Sequence, residues 1–83
     1  MKPIFLELRH LKTLLALKET GSVSLAAKRV YLTQSALSHQ IKLLEDQYGL
    51  PLFERKTQPL HFTAAGERLI QLANEIMPKV IEA

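Results

Sequence analysis

The 83-residue chain has no cysteine, no tryptophan and only three glycines. Without cysteine there is neither a disulfide nor a thiolate zinc site. The three histidines, His10, His39 and His61, stand far apart with no paired acidic ligands at helical spacing, so no metal is expected. No apolar run approaches the roughly 18 residues that span a bilayer, and Glu7 and Arg9 break the short apolar patch in MKPIFLELRH. The sequence therefore predicts neither a membrane span nor a signal peptide, and a cytoplasmic location. A phosphate-cradling glycine loop is missing, as is any nucleophile-base-acid set, so neither an enzyme nor a cofactor is expected. The most informative absence is local: between residues 33 and 42, TQSALSHQIK contains no Asp and no Glu.

What is present fits one small folded domain. Hydrophobic residues make up 47% and charged residues 23%, which argues against disorder. A chain of this size buries only about 60% of the surface its unfolded form exposes, so oligomerisation would add to its stability. The net charge of +3 is unevenly placed. Residues 1 to 43 hold seven basic and two acidic side chains, whereas residues 44 to 83 hold four basic and six acidic. A basic half suits a polyanionic partner.

Leu8, Leu11, Leu14, Leu15 and Leu17 recur at helical spacing and predict a first helix that Gly21 stops. Ser22 and Ser24 are both candidate caps for a short second helix, SLAAKRVY, in which Ala26 and Ala27 are small enough for close packing. Thr33 then offers an N-cap for a third helix, QSALSHQIKLLEDQY, ending at Gly49 and Pro51. After Leu52 the period shifts toward 2, with Lys56 to Pro59 as the tip between Leu52-Phe53 and Leu60-His61-Phe62: a short two-stranded wing. Thr63 caps a last amphipathic helix whose stripe of Leu69, Leu72, Ala73, Ile76 and Val80 is widened by Ile70, Met77 and Ile81. Pro78 is expected to kink this helix or to mark where it begins to end. The fold class is thus mainly α, a winged helix-turn-helix followed by a long helix.

At about 100° per residue, Leu37, Ile41, Leu44 and Tyr48 of the third helix fall within an arc of roughly 60°, the core side. Gln34, Ser35, Ser38, His39 and Lys42 occupy another arc of roughly 140°. A helix entering the major groove needs short hydrogen-bonding side chains near its N-terminus, where its dipole is positive. Gln34 can bond an adenine edge bidentately, Ser35 and Ser38 can serve bases or phosphates, His39 offers a ring nitrogen, and Lys42 suits backbone charge. Ser24 and Thr33 are caps first and DNA contacts second.

The segments from Leu8 to Arg55 and from Phe62 to Ile70 resemble the LysR-type transcriptional regulators, and the resemblance extends over the whole chain. Within that family LKTLLAL, TQSALSHQ and RKTQPL are most similar to regulators of methionine biosynthesis. The resemblance implies a DNA-binding domain over 1–63, with the helix-turn-helix at about 23–42 and the wing at about 52–62, and a linker and dimerisation helix over 64–83. It further implies a homodimer through Leu69, Leu72, Ala73, Ile76 and Val80, a tetramer in the full-length protein, and an interrupted palindromic operator that is bent on binding. The family's effector-binding domain lies beyond residue 83, and homocysteine is the effector that the subfamily resemblance implies for it. The chain departs from the family pattern at His39, where Arg is common, and at Ser35, where Pro is frequent. Gln58 replaces a basic residue at the wing tip, which leaves Arg55 and Lys56 to contact the minor groove or phosphates, with Gln58 beside them.

A second reading makes the chain a winged-helix protein-interaction module that docks through its last helix. Such a module has no reason to exclude acidic residues from positions 33 to 42.

Overall fold

The computed structural model describes residues 6–54 and 59–82. Four helices and one two-stranded sheet follow in the order α1 (Leu8–Thr20), α2 (Val23–Arg29), α3 (Gln34–Tyr48), β1 (Phe53–Glu54), β2 (His61–Phe62) and α4 (Ala64–Glu82).

Local chemistry sets each boundary. The amide of Glu7 donates to His10 Nδ1 at 3.0 Å and closes the start of α1. Gly21, at φ 67°, ends the helix with its amide on Leu17 O at 2.8 Å. Ser22 is already extended and accepts from the Leu25 amide at 3.2 Å, so Ser22 is the cap of α2. This corrects the expectation for Ser24, which lies within the first turn, where a residue has helical backbone and cannot cap. The second helix ends in a Schellman arrangement: the Tyr31 amide donates to Lys28 O and the Leu32 amide to Ala27 O. The left-handed position of that motif is held by Tyr31, at φ 59°, where glycine is usual.

Thr33 caps α3 as expected, its Oγ1 accepting from the Ala36 amide at 3.1 Å, and Gly49 ends the helix at φ 71°. The wing strands pair antiparallel, with Phe53 opposite Phe62 and Glu54 opposite His61. Thr63 does two things: its Oγ1 accepts from the Gly66 amide at the start of α4 and donates to Pro51 O at 2.6 Å. The last helix continues through Pro78 to Glu82 rather than ending there.

The core lies where α1 crosses α2, α3 and α4. Leu14, Leu17, Leu37, Ile41, Leu44 and Leu52 are fully buried, and Ala26 and Ala27 bring α2 in close. Leu69 and Ile70 of α4 belong to this same cluster, while Ala73 and Met77 close a second one around Leu11. The last helix is therefore a structural part of the domain, packed along α1. Packing also narrows the expected dimer set. Leu69 and Ala73 are buried within the chain, Leu72 and Ile76 lie at the edge of the packed face, and Val80 and Ile81 are exposed where α4 runs past α1.

Candidate nucleic-acid interface

Burial of Leu37, Ile41 and Leu44 turns the opposite side of α3 outward. Gln34, Ser35, His39 and Lys42 are exposed, and Ser38 is half-buried between them, so one face collects five of the expected contact residues. The Thr33 cap leaves the remaining N-terminal amides of α3 directed outward, and no acidic residue sits in the first turn to offset the positive end of the helix dipole.

Among the described residues, the ion pairs lie elsewhere. Arg9 pairs with Glu7, Lys18 with Glu67 and Arg29 with Glu19, and none involves residues 33 to 42. Lys28 and Lys42 are exposed cations without an ion pair among the described residues, at the end of α2 and on the third turn of α3. From Thr33 to Lys42 this face is polar and free of carboxylates, with Asp46 exposed one turn further on, which suits the N-terminal part of α3 to an anionic surface carrying both acceptors and donors. No cluster of His, Asp or Glu among the described residues could hold a metal ion. No described helix is long and apolar enough to cross a membrane.

Ser24 is half-buried near the start of α2, two residues after the Ser22 cap. Arg55, Lys56 and Gln58 at the wing tip lie outside the described residues. The base of the wing is firmly placed. Leu60 N donates to Gly21 O at 3.2 Å, the rings of Phe53 and Phe62 are 6.2 Å apart, and Lys18 bonds Glu67 at 2.7 Å while standing 5.5 Å from the centre of the Phe62 ring. The contacts that α1 makes with the wing and α4, Gly21 with Leu60 and Lys18 with Phe62 and Glu67, have no signature in local sequence because they unite residues about 40 to 50 positions apart.

This is the arrangement of a winged helix-turn-helix protein. Residues 8–67 match the family described as "Bacterial regulatory helix-turn-helix protein, lysR family", and the chain belongs to that family. It is 86% identical over all 83 residues to the HTH-type transcriptional regulator MetR of Haemophilus influenzae. It is 53% identical over 78 residues to the regulator of the same name from Escherichia coli strain K12. The chain spans 27% and 25% of the lengths of these two relatives. Among solved structures it resembles the BenM DBD in complex with benA site 1 DNA, with a TM-score of 0.85 and 35% identity, covering 93% of this chain and 86% of that one. It also resembles the CbnR DBD–DNA complex, with a TM-score of 0.82 and 32% identity, covering 93% of this chain and 88% of that one.

Proposed function

We propose that this chain is the sequence-specific, double-stranded DNA-binding portion of a lysR-family transcription regulator that acts on methionine-biosynthesis genes. The observation that carries the proposal is the outward polar face of α3, free of carboxylates over residues 33 to 42, capped by Thr33 and clear of every described ion pair. In this reading α3 enters the major groove; Gln34, Ser35, Ser38 and His39 meet base edges or nearby phosphates, and Lys42 meets the backbone. Ser24 and the wing residues Arg55, Lys56 and Gln58 add backbone or minor-groove contacts. The similarity to MetR supports the methionine assignment, and the likeness to two DNA complexes supports the binding mode.

The binding unit is a homodimer on an interrupted palindrome. Leu72, Ile76, Val80 and Ile81 are the part of the α4 stripe left for a partner once Leu69 and Ala73 are packed inside. The whole protein, which extends beyond this chain if it follows its relatives in length, forms a tetramer and takes a small-molecule effector, homocysteine, through its further domain. It acts in the cytoplasm.

Selection of duplexes from a randomised pool by the purified chain tests the proposal. Enrichment of a two-fold related motif with a spacer is expected, because paired half-sites mirror paired subunits. A recovered pool indistinguishable from the input would overturn DNA reading by α3 and favour an interaction module.

A further inference from the structure

A cleft of about 350 Å³ opens between α1, the end of α2 and the back of α3. Thr13, Val30, Leu32 and Gln40 line it, and the buried Gln40 Oε1 accepts no hydrogen bond among the described residues. Arg9, Lys12 and Arg29 also border the cleft. Two of these cations have acidic partners, Glu7 for Arg9 and Glu19 for Arg29, whereas Lys12 has none among the described residues. Such exposed pairs contribute little to stability, so the two arginines are held only weakly by their partners.

Tyr31 borders the same cleft and is 95% exposed. Its backbone is left-handed, φ 59°, in a position that glycine would occupy without strain. A large aromatic residue that packs on nothing and strains its own turn does not serve the fold. Exposed Tyr beside Arg is instead the composition of an interface anchor. DNA is not the matching partner, because Gln40 lies about 170° around α3 from the middle of the Gln34–His39 face. The cleft is turned away while that face reads a groove.

We propose that this cleft and Tyr31 form a docking site for an acidic protein segment carrying one apolar anchor side chain, open while the chain is on DNA. The carboxylates meet Lys12 and the two arginines, the anchor enters between Val30 and Leu32, and a donor reaches Gln40 Oε1. The site rests on the DNA-binding reading only in that the docked state is the DNA-bound one.

The test is selection of a displayed random-peptide library against the chain held on its preferred duplex, with DNA affinity measured separately for every variant. Acid-rich peptides with a Leu or Phe are expected, shifting the backbone amide resonances of Val30, Leu32 and Gln40. Lys12→Glu and Tyr31→Ala should each weaken those peptides about tenfold with DNA affinity unchanged. Tyr31→Gly, which removes the ring and relieves the turn, should weaken them equally and so separates the side chain's role from folding. No enrichment, basic peptides, or binders that leave these amides unmoved would overturn the proposal. So would loss of DNA affinity in Lys12→Glu and Tyr31→Gly, which would make the surface a phosphate contact.

Discussion

Gly66 sits where a Cβ would stand 1.9 Å from the carbonyl oxygen of Leu52 and 3.3 Å from the Phe62 ring. That carbonyl already accepts from the Thr63 amide, so it cannot move without breaking the junction between the wing and α4. Even the full helix-interior preference of alanine over glycine is only about 1 kcal/mol, and less applies in the first turn, whereas overpacking against backbone costs about 3 kcal/mol. Gly66→Ala should therefore lower the melting temperature by about 10 °C, read by circular dichroism. His10 makes a second prediction. Burial holds its imidazole below the ordinary histidine range, against the opposing pull of Glu7, with Arg9 adding to the lowering. Its Nδ1 also accepts the Glu7 amide, a bond that protonation of that nitrogen would remove. The unfolded chain thus takes up the proton first as pH falls. Stability from this group is complete above about pH 6.5 and is lost as pH drops from there through the lowered folded value. His10→Gln, compared with the native chain in urea titrations at neutral and mildly acidic pH, should show the smaller fall.

On the third helix, the two kinds of contact separate by salt and sequence. Gln34→Ala should lose roughly 1 to 3 kcal/mol on the selected duplex and almost nothing on random DNA, because a base contact discriminates. Equal losses on both would refute base reading by Gln34. Lys42→Ala should weaken all duplexes alike and reduce the slope of log affinity against log salt by about 1, as expected for one phosphate. The wing depends on α1 and α4 for its position through Lys18, Glu67, Phe62 and the Leu60–Gly21 hydrogen bond. This ties the base of the wing to α1, the same helix on which α3 packs.

For the whole molecule, the outer edge of α4 continues into an apolar cleft of about 610 Å³ beside Tyr48, Leu50, Ala65 and Leu72. A small domain with this much unburied apolar surface gains by pairing. Ile76→Glu combined with Val80→Glu should give a monomer in sedimentation and weaken the palindromic duplex at least about tenfold. Binding to a single half-site should be unchanged. If the double variant remains a dimer, the interface lies elsewhere.

The four helices, their caps at Thr33 and Thr63, their stops at Gly21 and Gly49 and the polar face of α3 were legible in the sequence, because capping and 3.6-residue periodicity act over a few neighbours. The bounds of α3 fall at Gln34 and Tyr48, as its pattern predicts. Local pattern could not choose between Ser22 and Ser24, since either has a hydroxyl; the backbone leaving Gly21 is extended at Ser22 and settles it. Nor could it divide the apolar residues of α4. Periodicity gives a stripe, but only docking on α1 decides that Ala73 and Met77 lie inside while Val80 stays exposed. The fit of Gly66 on Leu52, the cleft behind α3 and the strained, exposed Tyr31 likewise belong to the tertiary structure. The sequence by itself determined which segments are helices and which surface is polar. Packing between distant segments decided which apolar residues remain for partners, because burial depends on what another element covers.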